Sequence, residues 1–362
     1  MSTRRAFLAA SAASFAAAAF PLRAQSTAGG KKLGVALVGI GSLTMGQILP
    51  AFAKASLVRP VALVSGHPEK AGQQAAKYHL DPRNIYTYDT FDTIKDNPDV
   101  DIVYVVLPNS MHAEYTIRAA KAGKHVLCEK PMANTPAECQ SMIDACKAAG
   151  KKLMIAYRLR YEPMTQKAIE LAQSMGTLQQ ISAEAGLTIG DPTQWRLNKK
   201  LAGGGPLMDM GIYAINAIRY LSKQEPSEVA AMISTNSADP RFKEVEETIS
   251  FLLRFPSGML ASVLTSYNMS VNRVQVCDTS PQFEVSPFQT YANNHLYTLR
   301  GRDRVEVSYT PVNHFAAEMD HFAECITSNK QPLTPGEEGL QDMKVIAAAY
   351  QSAAENKPIK IV

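Results

Sequence analysis

The sequence predicts two domains of different class. An α/β domain with a doubly wound parallel sheet occupies residues 31–158, and an α+β domain with a large open, mainly antiparallel sheet occupies residues 159–362. Three observations carry this. Short apolar runs alternate with segments of helical periodicity up to about residue 158, as the strands and crossover helices of a parallel sheet do. Beyond Tyr161, strand-like runs follow one another directly, bounded by Pro, Asn, Asp and Gly. The chain of 362 residues is too long for one average domain, and its 46% hydrophobic and 19% charged composition excludes disordered and disulfide-scaffold classes.

Residues 1–24 read as a twin-arginine export signal. Arg4-Arg5 precede an uncharged, Ala-rich stretch to Phe20, and Leu22-x-Ala24 offers small-residue cleavage before Gln25. The apolar run is too short to cross a bilayer core of about 30 Å as a helix, so the mature protein is expected in the periplasm without a membrane anchor. With the three arginines of this segment set aside, 34 basic side chains face 33 acidic ones. A near-neutral body argues against nucleic acid as a partner, because that binding rests on clustered Lys and Arg. Five widely spaced cysteines without a C-x-x-C pair suggest free thiols, not a disulfide framework or zinc cluster.

The first apolar run, 35–38, passes through Gly39-Ile40-Gly41-Ser42-Leu43-Thr44 into helical spacing at Met45, Ile48, Leu49 and Phe52. Gly39 permits a tight turn, and Gly41 lets backbone approach a pyrophosphate held by free N–H groups at the helix start, around Ser42 and Leu43. A bare G-x-G is a weak signal, and Thr44 replaces the third glycine. Its place between strand and helix makes it the fingerprint of a Rossmann dinucleotide-binding domain. The second run, 61–64, ends in Ser65-Gly66-His67, where NAD enzymes carry an acid for the ribose 2′-hydroxyl. Ser65, His67 and Lys70 instead form a cationic, donor-rich pocket suited to a 2′-phosphate, so NADP is the expected cofactor. Lys70 equally suits a solvated helix face.

Runs at 102–107, 125–128 and 153–156 continue the sheet. Lys130 directly follows the fourth run, at the carboxyl edge where open α/β sheets bind ligands, although a lysine at a strand end is commonly just solvated. In the second domain a helix over 164–174 leads to a strand over 179–188. Glycines 203–205 precede a helix over 207–221 that sets Asp209 and Tyr213 four apart, on one face. The plainer reading is an acid favoured by the helix dipole and a core tyrosine. Strands over 229–234, 248–255, 259–266, 271–276 and 305–309 follow, and helices over 313–328 and 336–356 close the chain. His314, Glu318 and His321 share a helical face that could bind a metal. No other segment supplies a recognisable ligand, so no metal is expected.

Glu129-Lys130-Pro131, Leu107-Pro108-Asn109-Ser110-Met111-His112, Tyr157-Arg158 and the glycine-rich segment ending in Asp209 and Tyr213 together resemble the glucose-fructose oxidoreductase/inositol dehydrogenase/MocA (Gfo/Idh/MocA) family. The resemblance covers nearly the whole chain. Tyr213, where many relatives carry His, is similar to the glucose-fructose branch. The resemblance implies an oxidoreductase with a sugar held between nucleotide domain and open sheet, and with Lys130, Asp209 and Tyr213 at its reacting carbon. It implies cofactor contacts at Leu107, Pro108, Asn109, His112, Glu129 and Lys130, and sugar contacts at Arg158, Tyr161, Trp195 and Arg196.

In that chemistry hydride leaves the anomeric carbon of a glucose-like aldose for the nicotinamide ring, and Tyr213 exchanges the hydroxyl proton. A free phenol ionises near ~10, and the Lys130 ammonium would favour the phenolate. Asp209 would accept from a sugar hydroxyl or orient Lys130. Free nucleotide is not expected outside the cytoplasm, so an exported enzyme would keep its NADP(H) and recycle it in place. The aldose leaves as its lactone, and a second carbonyl sugar, fructose or another aldose, is reduced in a ping-pong cycle. Two alternatives stand beside this: an ordinary NADP-dependent aldose 1-dehydrogenase with exchangeable cofactor, and a non-catalytic NADP-binding sensor. Residues 25–32 form a shorter arm than the glucose-fructose branch carries, so any homo-oligomer is expected through the C-terminal sheet.

Overall fold

Aliphatic runs make strands that are buried on both faces, as at residues 35–38, 61–64 and 102–105, and among the described residues the first half of the chain has six strands, all parallel. The computed structural model describes residues 31–176, 178–278 and 282–362, so the expected export signal lies outside the described residues. The strands are β1 (Leu33–Val38), β2 (Val58–Val64), β3 (Ile85–Tyr86), β4 (Ile102–Val105), β5 (His125–Glu129) and β6 (Leu153–Ala156), in the order β3-β2-β1-β4-β5-β6. Strand order reverses between β1 and β4, and such a switch point opens a ligand crevice at the carboxyl ends. The turn leaving β1 enters a π turn, Thr44–Ile48, that runs on into α1 (Leu49–Ala51). Helices α2 (Pro68–Lys77), α3 (His112–Lys121) and α4 (Pro136–Ala148) follow β2, β4 and β5.

The second sheet has nine strands: β7 (Gln180–Gly186), β8 (Glu228–Ser234), β9 (Thr248–Arg254), β10 (Leu260–Ser266), β11 (Asn272–Cys277), β12 (Gln282–Val285), β13 (Leu296–Arg300), β14 (Asp303–Glu306) and β15 (Ile359–Lys360). Their order is β14-β13-β12-β11-β7-β10-β9-β8-β15, and only the central β7–β10 pair is parallel. Period-two alternation sorts its faces. Ile181, Ala183, Val229, Ile249, Phe251, Leu253, Ala261 and Val263 are buried, beneath α5 (Pro163–Ser174), α7 (Ile212–Ser222) and α9 (Gly336–Glu355). The other face stays open. Arg219 on α7 and Asp342 on α9 pair at 2.6 Å within the helical layer.

Two departures from the sequence reading have simple causes. The strand expected over 305–309 is β14, two residues earlier. A turn at Gly301, with φ +61, pairs it with β13, and Val305 points to solvent instead of into a core. β12 and β13 escaped notice because Gln-Phe-Glu-Val and Leu-Tyr-Thr-Leu-Arg are short and mixed in polarity. The chain also returns on itself. Between α6 (Lys199–Ala202) and α9, helix α8 (His314–Thr327) packs Phe315, Met319 and Phe322 against the first sheet with Leu37 and Leu63. Its Asp320 accepts the N–H groups of Ser56 and Leu57, both at 2.7 Å. A cut at residue 158 therefore separates the strands but not the layers.

Candidate active site

The glycine turn is built as the fingerprint requires. Gly39 has φ +98, and a Cβ there would lie 2.1 Å from the Val106 carbonyl oxygen, so only glycine fits. A Cβ on Gly41 would meet nothing within 4 Å, because it would enter the open cavity. Thr44, fully buried, donates its hydroxyl to the Gly39 carbonyl at 2.6 Å, which accounts for Thr at the third glycine position. The Met45 N–H closes back on Gly41 O at 3.0 Å. Ahead of it, the amides of Ser42 and Leu43 have no protein acceptor among the described residues and border the cavity. Such a turn fits a pyrophosphate.

At the end of β2, Ser65 is buried with its Oγ accepting the His67 N–H at 3.0 Å, and Ser65, His67 and Lys70 line the cavity. No carboxylate stands among them. Tyr88, invisible as a site residue in the sequence, also lines this end, its ring 3.0 Å from where a Gly66 Cβ would sit. Leu107, Pro108 and Asn109 line the cavity too, and Asn109 donates to Ala202 O at 2.8 Å, tying α6 to the nucleotide side. His112 does not reach the cavity. Its Nδ1 and Nε2 lie 2.8 Å from the carbonyls of Pro131 and Leu107, so it joins the two strand ends and acts behind the site, not as a cofactor contact.

The cavity, about 1010 Å³, runs without a break from the glycine turn to Lys130, Asp209 and Tyr213. Lys130 Nζ donates to the backbone carbonyl of Asp209 at 2.7 Å and to its Oδ1 at 3.1 Å, and stands 4.4 Å from the centroid of the Tyr213 ring. Arg196 Nε and the Tyr267 hydroxyl both donate to Asp209 Oδ2, at 2.9 and 3.3 Å. Burial would raise the Asp209 carboxyl, but Lys130 and Arg196 hold it well below the usual range. Burial likewise opposes the Lys130 charge, and Tyr213, Asp209 and Glu129 outweigh it, so its pKa is raised. The Tyr213 hydroxyl takes no protein hydrogen bond among the described residues, which leaves it for a ligand. An ammonium, a fixed carboxylate and an uncommitted phenol in one cavity can exchange a proton with a substrate hydroxyl.

Glu129 is buried, lines the cavity and accepts the Tyr104 hydroxyl at 2.7 Å; burial raises its pKa. Trp195 and Arg196 line the far wall, with the guanidinium carbon 4.8 Å from the indole centroid. One expected sugar contact needs correction. Tyr161 turns away from the cavity, its ring 5.1 Å from His321 and its hydroxyl 3.1 Å from Thr334 Oγ1, because it fills the seam against α8. Arg158 lines the cavity, and its Nη1 and Nη2 also donate to the carbonyls of Thr290 and Gln289, which braces a loop. The possible metal face on α8 disperses. His314 meets Arg158 at 3.4 Å, Glu318 faces Tyr104, and His321 Nε2 accepts the Leu333 N–H at 3.0 Å. The sequence reading missed Tyr267, Tyr291 and Phe315, since lone aromatics at a strand end, in a loop and at a helix start carry no spacing signal.

Comparison with known proteins places the fold in a family. Residues 33–157 match the model of an oxidoreductase family with an NAD-binding Rossmann fold, and residues 165–286 match the Gfo/Idh/MocA C-terminal domain. The D-xylose 1-dehydrogenase [NADP(+)] of Haloarcula marismortui is 30% identical over 93% of this chain and 95% of its own length. The levoglucosan dehydrogenase of Pseudarthrobacter phenanthrenivorans is 30% identical over 88% of this chain and 86% of its own. A crystal structure of aldose-aldose oxidoreductase from Caulobacter crescentus, complexed with glycerol, superposes with a TM-score of 0.89 and 46% identity, covering 91% of this chain and all of that one. With both domains matched and relatives aligned almost end to end, the chain belongs to the Gfo/Idh/MocA family of oxidoreductases.

Proposed function

We propose that this protein is an exported sugar oxidoreductase that keeps its NADP(H), oxidises an aldose at the anomeric carbon and passes the hydride to a second sugar. The observation that carries this is the Lys130 ammonium, fixed by Asp209 and standing over the Tyr213 ring, in a cavity continuous with the Gly39–Gly41 turn. When bound, the nicotinamide supplies the hydride acceptor and donor; all else falls to the chain. Ser42 and Leu43 amides would hold the pyrophosphate, and Ser65, His67 and Lys70 the 2′-phosphate. Support for NADP is the lack of a carboxylate beside Ser65, together with the cofactor in the name of the Haloarcula relative.

In oxidation the anomeric C–H electron pair leaves as hydride while Tyr213 Oη takes the hydroxyl proton, so the product is a lactone. The Lys130 ammonium balances the charge of the Tyr213 phenolate, which becomes the phenol as it takes this proton, and Asp209 holds Lys130 and Arg196 against the cavity wall. In reduction the same phenol returns the proton to the alkoxide of the second sugar. That sugar is read as another aldose, on the name of the Caulobacter relative. Retention of the cofactor follows from export, itself read from residues 1–24. The open face of the nine-stranded sheet is read as a homo-oligomer contact.

The test is to express the full chain, purify the mature form from the periplasmic fraction without added nucleotide, and release and identify what it carries. Addition of glucose alone should produce reduced-nicotinamide absorbance of one equivalent per site at most, and a second aldose should discharge it. Protein without nucleotide that turns over only with added NADP would favour the ordinary dehydrogenase. Retained nucleotide that no sugar reduces would favour a sensor.

A further inference from the structure

Arg158 belongs to a device the reaction above does not use. Its Nη1 donates to Thr290 O at 3.1 Å and its Nη2 to Gln289 O. Its guanidinium carbon lies 5.2 Å from the Tyr213 ring centroid and 4.8 Å from that of Tyr291. One cation is thus clasped between two phenols, and one of them is the proton-exchanging residue. The loop that carries Tyr291 is pinned on both sides. Phe288 and Gln289 donate their N–H groups to Asn272 Oδ1 at 2.8 and 3.1 Å. The Thr290 N–H donates to Asn294 Oδ1 at 2.9 Å, and Asn294 Nδ2 donates to the buried Glu162 carboxylate at 3.0 Å.

On this fixed loop Tyr291 is 53% exposed and lines the cavity, its ring backed by Phe315 at 5.7 Å. A rigid loop that holds a half-exposed aromatic against a substrate cavity does nothing for the core. A pyranose, however, presents a face of polarised C–H groups, which match the negative face of an aromatic ring. We infer that Tyr291 is the platform on which the sugar ring stacks while its anomeric carbon meets Tyr213, and that Arg158 is the positioning residue that sets the two phenols at their working separation. This deepens the proposed function and rests on it. The platform selects ring-form aldoses, since an extended carbonyl compound offers no continuous C–H face.

The experiment uses the full-length mature enzyme, wild type alongside Tyr291→Ala, Tyr291→Phe, Arg158→Lys and the Ala/Lys double variant. The exposure of Tyr291 makes its truncation tolerable to the fold, and retained nucleotide content checks this in each preparation. Tyr291→Ala should raise the KM for glucose about fivefold to tenfold with kcat changed by less than about twofold, as expected for lost stacking. Tyr291→Phe, which keeps the ring, should recover most of that loss. Arg158→Lys should raise KM in the same direction, and the double variant should have a KM no higher than Tyr291→Ala alone, because the two act as one unit. A KM for Tyr291→Ala within about twofold of an active wild type overturns the platform. So does a Phe variant as impaired as Ala, and additive KM effects overturn the role of Arg158. A wild type that oxidises no aldose overturns the proposed function and this inference with it.

Discussion

Asp209 is the residue on which the site's charge balance turns. Its carboxylate faces two cations and a phenol, and it is depressed in spite of burial because Lys130 and Arg196 each gain from its charge. A depressed carboxyl stabilises the fold above its unfolded value of 3.8, and that contribution fades as pH falls through this value towards the lower folded one. Asp209→Asn should therefore lower the melting temperature at neutral pH. The gap from wild type should close below about pH 4, where the wild-type carboxyl is protonated in the unfolded chain and then in the folded one. Thermal melts of both proteins from neutral to acid pH check this. Tyr213 makes a different prediction, because its hydroxyl takes no hydrogen bond among the described residues. Tyr213→Phe should leave folding and bound nucleotide intact and cut the rate of cofactor reduction by roughly 10²–10⁴-fold, the usual worth of a positioned acid–base. Single-turnover absorbance after adding glucose measures it. An unchanged rate would remove the phenol from the chemistry.

At the scale of elements, the β1 turn separates structure from function within three residues. A Cβ at Gly39 collides with the Val106 carbonyl on a left-handed backbone, whereas one at Gly41 projects into empty cavity. Gly39→Ala should destabilise the apoprotein by roughly 1–3 kcal/mol. Gly41→Ala should leave apoprotein stability nearly unchanged and weaken nucleotide binding, so denaturant unfolding and nucleotide titration on the two variants should give opposite patterns. The turn was legible in sequence because strand, G-x-G and helical spacing occur in one contiguous stretch. Lys130, Asp209 and Tyr213 were legible as a set only by resemblance, since 79 residues separate Lys130 from Asp209 and no local period links them. Tyr88, Tyr267 and Tyr291 were not legible at all. Tyr88 and Tyr291 are brought to the cavity by the loops that border it, and Tyr267 to Asp209 by the end of β10; the sequence marks such positions no differently from any other tyrosine. Tyr161 and His112 err in the opposite direction: the resemblance implies both as contacts, yet packing against α8 claims one and two strand-end carbonyls claim the other.

The whole molecule sets one sheet over the catalytic cavity and leaves that sheet's outer face uncovered. Met232 is 81% exposed, Leu252 56% and Leu260 48%, on the adjacent strands β8, β9 and β10. Register places Met232 opposite Ser250, Leu252 between Ala230 and Ser262, and Leu260 opposite Arg254, so the three side chains run diagonally across one face of the sheet. A diagonal row of exposed apolar side chains on a one-sided sheet suits an interaction face, and a second copy of the same chain is the occupant we propose. Lys130, Asp209, Tyr213, Arg158 and Tyr291 all come from one chain and lie at the cavity, so the reaction proposed above draws its named groups from a single subunit. Two charges in the patch should then separate association from catalysis. Met232→Glu with Leu252→Lys, both at solvent-facing positions, should shift sedimentation from dimer or larger to monomer and leave turnover per bound nucleotide unchanged. If the wild type already sediments as a monomer, the face is not a self-contact. If dissociation abolishes turnover, the cavity depends on its neighbour in a way that the geometry of a single chain does not contain.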